Sequence, residues 1–214
     1  MSRMMKRLFL PGAAGNLEAL LLEPPSANAA ALVCHPHPLH GGTMHTKVVY
    51  RAARGLAAAG CSALRFNFRG IGHSDGAWDE ELGEKQDAQA ALDWLAQYAP
   101  TFPLLVGGFS FGSFMGLQVG LRHPRTRGLV GIGLPLDRYR FEFLDGSALP
   151  LLLISGAEDP FCPPQELRRL AQRWGPHVEV HVLPGDGHLL HASLKQVQEL
   201  VAAFAERLLT PTGG

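Results

Sequence analysis

The stretch Gly108-Phe109-Ser110-Phe111-Gly112 decides how this sequence is interpreted. It follows an apolar run at 103–107 and precedes a segment with helical spacing at 111–123. A serine between a strand and a helix, flanked by Gly two places away on each side, is typical of a nucleophile elbow. Gly at those places tolerates unusual backbone angles and close approach. Because a Gly-rich chain can match this pattern by chance, the prediction depends on a base, an acid and an oxyanion-binding loop elsewhere.

Composition limits the classes of protein that this chain can be. Its 214 residues, 46% of them hydrophobic, suit one domain over 1–214 with a substantial core. The 19 basic and 19 acidic side chains form no basic block, which disfavours nucleic acid and anionic membranes as partners. The three cysteines, Cys34, Cys61 and Cys162, are widely spaced, so we expect free thiols and a cytoplasmic location. The N-terminal apolar run ends at Pro11, too short for a signal peptide, and no segment is apolar enough for a membrane span.

Hydrophobic periodicity predicts an α/β fold. A strand hairpin opens the chain, and strands then alternate with helices. The later strands are nearly continuous apolar runs, as in a mostly parallel, twisted sheet of about eight strands with helices on both faces. The loop at 135–148 is too short for a lid domain and could form at most a flap. The predicted strands are 6–10, 17–23, 29–34, 61–68, 102–107, 127–134, 149–155 and 177–183, and the predicted helices are 43–59, 80–98, 111–123, 164–174 and 189–209.

A serine nucleophile requires a base close to its hydroxyl and an acid that orients the base. After Ser110, the chain offers Asp159 and then His188, each directly after a predicted strand. We therefore predict that Asp159 orients His188 and that His188 activates Ser110. Glu158 remains an alternative acid. His191 also competes with His188, but it falls inside the predicted last helix.

The loop after the third strand, residues 34–42, is rich in His and Pro. A loop at this place in such enzymes supplies a peptide N–H to the oxyanion. Its two prolines have no N–H, which leaves His37 or Leu39, and we favour His37. The second predicted donor is the N–H of Phe111. We expect Met44, Phe109, Phe114 and Phe161 to line the substrate pocket.

Taken together, these segments resemble the α/β-hydrolase superfamily, and most closely its small lidless group near the dienelactone hydrolases. The resemblance rests on 35–38, 41–44, the Arg-Gly-x-Gly-x-Ser motif within 64–74, the elbow, and the Asp159 and His188 positions. It implies an α/β-hydrolase fold and a Ser-Asp-His triad that needs no cofactor or metal. The chain departs from dienelactone hydrolases in having Ser as its nucleophile, which puts a lactone substrate in doubt.

The expected function is a carboxylesterase-like hydrolase that cleaves small ester or thioester substrates through an acyl-enzyme on Ser110. One alternative is a non-catalytic ligand-binding protein of the same fold. Another is a metallohydrolase that uses the His35–His40 cluster, whose spacing nearly matches H-x-H-x-D-H but has Leu39 at the carboxylate position. The sequence does not distinguish esterase from thioesterase, lactonase or acyltransferase, and the oligomeric state is open, a homodimer included.

Overall fold

The computed structural model describes residues 4–210 and contains an eight-stranded sheet in the order β1-β2-β4-β3-β5-β6-β7-β8. Strand β2 runs antiparallel to both of its neighbours, and the pairs from β4 to β8 are parallel. The predicted α/β class and mostly parallel sheet are thus confirmed. The strands are β1 (Met4–Gly12), β2 (Gly15–Glu23), β3 (Ala29–Cys34), β4 (Cys61–Phe66), β5 (Leu104–Phe109), β6 (Thr126–Ile132), β7 (Leu151–Gly156) and β8 (Val178–Leu183).

Five helices cover the two faces of the sheet and bury a core on each. They are α1 (Lys47–Ala58), α2 (Leu82–Tyr98), α3 (Phe111–Arg122), α4 (Pro164–Trp174) and α5 (Leu194–Leu209). Helices α1 and α5 pack against one face, and α2, α3 and α4 contribute to the core on the other. Strands β3, β5 and β7 are buried along their whole length, which explains why their sequences are apolar without alternation. No helix within residues 4–210 is long and apolar enough to cross a bilayer.

Helix α3 carries glycines where it crosses the sheet. A Cβ on Gly112 would lie 2.3 Å from the carbonyl oxygen of Cys34, and one on Gly116 would lie 2.7 Å from that of Gly107. These distances are shorter than any side chain tolerates, so the glycines let α3 approach β3 and β5. That approach fixes the start of α3, and therefore the residue before it, relative to the centre of the sheet.

The Arg-Gly-x-Gly-x-Ser motif after β4 is structural. The buried guanidinium of Arg69 donates to both carboxylate oxygens of Asp87 on α2, at 3.0 and 2.8 Å. Gly72 has φ +59°, and a Cβ there would lie 2.5 Å from Nδ2 of Asn67. The motif thus ties the turn after β4 to α2 and leaves room for the Asn67 amide.

Three helices begin later than predicted, and one of them is α2, which starts at Leu82 and not at 80. Helix α1 starts at Lys47 and not at 43, and α5 starts at Leu194 and not at 189. Before α5, Leu190 has φ +50°, and the N–H of Ala192 donates to Oδ1 of Asp186 at 3.0 Å. The chain at 186–193 is therefore a turn, although its apolar spacing resembles that of the helix that follows.

Candidate active site

Ser110 lies at the turn between β5 and α3, at the carboxyl edge of the sheet. Its φ of +55° and ψ of −123° place a non-glycine residue in a strained region of backbone space. The N–H of Ser110 donates to the carbonyl of Ile132 at 2.8 Å, and the hydroxyl of Ser113 donates to the carbonyl of Ser110 at 2.6 Å. A Cβ on Gly108 would lie 2.2 Å from the carbonyl oxygen of Gly112. Neighbouring strands and glycines therefore hold the sharp turn that presents the hydroxyl.

His188 connects Ser110 to Asp159. Its Nε2 lies 2.9 Å from Oγ of Ser110, and its Nδ1 lies 2.8 Å from Oδ2 of Asp159. The other carboxylate oxygen of Asp159 accepts the N–H of Phe161 at 2.9 Å, and the Asp159 side chain is inaccessible to solvent. An ionised carboxylate only accepts hydrogen bonds, so it holds the proton of His188 on Nδ1. The lone pair on Nε2 then faces the serine hydroxyl.

Aromatic rings hold the imidazole of His188 in place. The Phe109 ring centroid lies 5.0 Å from it, and the Phe161 ring packs edge-on at 4.8 Å. A Cβ on Gly133 would lie 3.2 Å from Cε1 of His188, so the chain after β6 also passes close to the ring. Packing on several sides leaves His188 few rotamers other than the one that reaches Ser110.

The two alternative residues lie elsewhere. The Glu158 side chain is exposed. Its peptide N–H donates to the carbonyl oxygen of Asp186 at 2.9 Å. His191 is exposed in the turn before α5, and not on a helix face as predicted. Of the candidate acids and bases, the structure brings Asp159 and His188 together beside the serine.

The β3 loop, residues 35–46, is oriented by the buried imidazole of His35. Nδ1 of His35 lies 2.6 Å from the carbonyl oxygen of Pro36, and Nε2 accepts the N–H of Phe68 at 3.0 Å. Burial lowers the pKa of His35 to about 3, so the ring is neutral and its one N–H points at Pro36. A trans peptide is planar, with C=O and N–H on opposite sides. Holding the carbonyl of Pro36 therefore turns the N–H of His37 the other way.

The predicted oxyanion donors have no competing partner. Within residues 4–210, neither the N–H of His37 nor the N–H of Phe111 donates a hydrogen bond. The N–H of Leu39, the alternative donor, is directed to Nδ1 of His37 at 3.2 Å. Phe111 is also the first residue of α3, where the helix dipole favours negative charge. These contacts favour His37 over Leu39 as the donor from this loop.

Met44 is buried and does not line the cavity beside Ser110, so the prediction for this side chain is wrong. Its backbone explains its position. The N–H of Met44 donates to Oδ1 of Asn67 at 2.8 Å, and its carbonyl accepts from Arg65 at 2.5 Å. The amide of Asn67 is itself held by Glu18, at 2.9 Å. These buried bonds fix the end of the β3 loop and direct Met44 into the interior.

The geometry does not support a metal centre on the His35–His40 cluster. Both ring nitrogens of His35 are engaged by backbone groups, so neither is available as a ligand. The His37 and His40 rings pack with their centroids 4.6 Å apart. Across the described part of the chain, no group of three His, Cys, Asp or Glu side chains is arranged to hold a metal ion.

A cavity of about 460 Å³ opens beside Ser110 and His188. Phe109 and Phe161 border it, the Phe109 side chain being inaccessible to solvent, and their contact with substrate stays a prediction. Phe114 does not border the cavity, which corrects the prediction: its ring stacks on Tyr139 at 4.4 Å and packs against Phe141 and Phe143. Phe114 lies one turn into α3, where its side chain meets the loop after β6 and not the cavity.

Several residues that line the cavity are not among those predicted from the sequence. The β6 loop, residues 133–150, contributes Pro135, Arg138 and Tyr139, and the turn after β8 contributes Leu189. The signal that could have found them is topological. Loops that follow parallel strands meet at one edge of the sheet, so the β6 loop had to adjoin the elbow that follows β5.

Comparisons with known proteins find similarity over nearly the whole chain. Residues 28–208 match the family model described as an alpha/beta hydrolase domain. An uncharacterized protein of Rickettsia prowazekii is 38% identical over 216 residues, which cover 96% of this chain and 90% of that protein.

Two solved structures are similar over nearly their full length. One is an alpha-beta serine hydrolase homologue from Coxiella burnetii, with TM-score 0.86 and 32% identity, covering 92% of this chain and 96% of that one. The other is an a/b serine hydrolase without lid from Xanthomonas campestris, with TM-score 0.85 and 31% identity, covering 100% of this chain and 99% of that one.

Proposed function

This chain belongs to the α/β-hydrolase domain family, and we propose that it is a serine hydrolase that cleaves small carboxylic esters or thioesters. The observation that carries the proposal is the bridging position of His188, within 2.9 Å of Ser110 Oγ and 2.8 Å of Asp159 Oδ2. A hydroxyl, an imidazole and a buried carboxylate in this order are what acyl transfer to serine requires.

In the first half of the reaction, Oγ of Ser110 attacks the substrate carbonyl while Nε2 of His188 takes the hydroxyl proton. Asp159 keeps the imidazole oriented and stabilises the imidazolium that forms. The negative charge that develops on the carbonyl oxygen is received by the N–H groups of His37 and Phe111. His188 then returns the proton to the departing alcohol or thiol, and the acyl group remains on Ser110.

Water completes the cycle. It attacks the acyl-enzyme as His188 removes its proton, and the second tetrahedral intermediate collapses to the free acid and Ser110. The cavity volume of about 460 Å³ suits small acyl groups. The half-buried ring of Phe161 offers an apolar surface to the carbon atoms of the substrate. The three cysteines are free and buried, as is usual in the reducing cytoplasm. The proposal therefore includes a cytoplasmic location.

Ser110→Ala tests the proposal. With 4-nitrophenyl acetate and butyrate, we expect kcat to fall by at least about 10³-fold, because the nucleophile is removed. Ser147→Ala, at a serine of the β6 loop outside the cavity, is the matched control and should retain activity. Wild-type protein should label with a fluorophosphonate and Ser110→Ala should not. Wild-type rates in Ser110→Ala would refute the assignment, and a wild type that neither turns over nor labels would favour a non-catalytic binding protein.

A further inference from the structure

The cavity beside Ser110 has an uneven charge distribution. Arg138 is the one Lys or Arg side chain that lines it, and within the described residues no Asp or Glu does so. The remaining lining groups are apolar, aromatic, imidazole, hydroxyl or glycine. A substrate in this cavity therefore meets a permanent positive charge without a compensating negative one on the wall.

Arg138 has no strong structural partner. Its Nε lies 3.6 Å from the carboxylate of Asp137, the preceding residue, and both side chains are more than 40% exposed. Exposed pairs of this kind contribute little to stability. Among residues 4–210, no hydrogen bond from the guanidinium of Arg138 to another side chain or to the backbone is formed. The guanidinium of Arg138 is therefore open to pairing with a charged ligand.

The backbone of the β6 loop holds Arg138 close to the triad. The N–H groups of Arg138 and Tyr139 both donate to the carbonyl of Pro135, at 3.2 and 3.0 Å. The N–H of Leu136 donates to the carbonyl of Phe161 at 2.9 Å, and the Phe161 ring packs on His188. Arg138 and His37 line the same cavity, and burial first, then the charges of His40 and Arg138, lower the pKa of His37.

We propose that Arg138 is an anion-binding subsite of this cavity and that the preferred substrates are esters or thioesters that also carry a carboxylate. One guanidinium matches one carboxylate in charge and in planar geometry. The inference rests on the proposed hydrolase function, because it concerns the substrate of the same site. It makes Arg138 a specificity residue without a role in the bond-breaking steps.

Two matched substrate pairs test the proposal and locate the carboxylate. The acyl-side pair is 4-nitrophenyl hydrogen adipate and its methyl ester, and the alcohol-side pair is 4-acetoxybenzoate and its methyl ester. We expect wild type to prefer the charged member of one pair by about tenfold in kcat/KM, and Arg138→Ala to remove that preference. Arg138→Glu should reverse it. Added salt should reduce the wild-type preference, because it screens an exposed charge pair.

Arg140→Ala is the control variant. Arg140 lies two residues away on the same loop but lines a separate recess with Glu166 and Arg169 of α4, so the charged-to-neutral ratio should stay at the wild-type value. Equal ratios in wild type and Arg138→Ala, with Ser110-dependent turnover intact, would overturn the inference and leave the hydrolase proposal standing.

A binding measurement tests the Arg138 subsite independently of the proposed hydrolase function. In Ser110→Ala, calorimetric titration with monomethyl adipate should give a Kd that rises about tenfold when Arg138→Ala is added, whereas dimethyl adipate should show no such change. This readout needs no turnover. An Arg138-dependent Kd, together with a wild-type protein that cleaves no ester, would refute the hydrolase function and retain the subsite. An Arg138-independent Kd would refute the subsite.

Discussion

The two loops that contribute to the cavity are held in different ways. Single buried hydrogen bonds fix the β3 loop, as between His35 and Pro36 or between Asn67 and Met44. The β6 loop packs through aromatic rings and is tied at the surface by Asp145, which pairs with Arg173 and accepts from Trp174 on α4. Buried hydrogen bonds place individual atoms, whereas exposed ion pairs contribute little energy. The difference teaches that buried side-chain hydrogen bonds fix the loop proposed to stabilise charge, while backbone turns and aromatic packing hold the loop that presents Arg138.

Substitution of a glycine in each loop should give the largest contrast. A Cβ on Gly42 would lie 2.0 Å from the carbonyl oxygen of Pro36, so Gly42→Ala must displace the peptide that bears the His37 N–H. We expect kcat to fall by about 10²–10³-fold, as when an oxyanion donor is lost. Gly146→Ala is the control, because a Cβ there meets nothing within 4 Å. Its kcat should stay within about twofold of wild type, although φ of +76° costs about 1 kcal/mol of stability. Equal kcat values in the two variants would contradict the comparison.

Removal of the Asn67 side chain tests how much the buried hydrogen bonds of the β3 loop contribute to the free energy of unfolding. Asn67→Ala leaves the buried N–H of Met44 without its partner and removes one of the two hydrogen bonds to Oε2 of Glu18. We expect the free energy of unfolding in urea to fall by about 2–3 kcal/mol, because unsatisfied buried groups carry the full desolvation cost. A loss below about 0.5 kcal/mol would show that the loop does not depend on these bonds.

The neutral state of His35 predicts a pH dependence of stability. The native pKa of about 3 lies below the ordinary value of 6.5, so between these values the unfolded state binds a proton that the native state does not. Stability is therefore complete above about pH 6.5 and decreases on acidification, by up to about 1.4 kcal/mol per pH unit from this residue. His35→Gln should reduce that slope in urea unfolding between pH 7 and pH 4.5. His45→Gln, at an exposed position of the same loop, is the control, and an unchanged slope in His35→Gln would contradict the assignment.

The surface contact of the β6 loop should give the smallest effect. Asp145→Asn removes the charge that pairs with Arg173 while it keeps an oxygen for Trp174. We expect a loss of less than about 1 kcal/mol in the free energy of unfolding and no measurable change in kcat. A loss as large as that of Asn67→Ala would mean that both loops are held equally firmly.

Much of the fold could be predicted because the strands of a parallel sheet are apolar throughout. Each of the eight predicted strands and five predicted helices has a counterpart in the structure. The predicted start of α5 is wrong because the apolar spacing continues through the turn at 186–193. In that turn the Asp186 side chain accepts a hydrogen bond from the N–H of Ala192. Apolar spacing indicates which residues are buried, but it does not indicate a hydrogen bond that holds the chain in a turn before a helix begins.

The candidate site could be predicted where chain order determines it. Asp159 and His188 follow parallel strands, so their approach to Ser110 depends on topology alone, and their catalytic roles stay predictions. The pocket side chains could not be predicted as well, because an apolar residue near the site in sequence can face either way. Met44 faces the interior, and Phe114 faces the β6 loop. Topology brings the β6 loop to the cavity, but the sequence does not determine which of its side chains, such as Arg138, line the cavity.

The way His35 holds the Pro36–His37 peptide has a consequence for protein engineering. In the proposed mechanism residue 37 offers its main-chain N–H to the reacting oxygen, and its ring lines the cavity. His35 holds the carbonyl of the Pro36–His37 peptide and Gly42 lies close against it, whereas the ring of residue 37 accepts the N–H of Leu39. A library at position 37 can therefore explore substrate range with the charge-stabilising group unaltered, whereas libraries at 35 or 42 would yield mostly inactive clones.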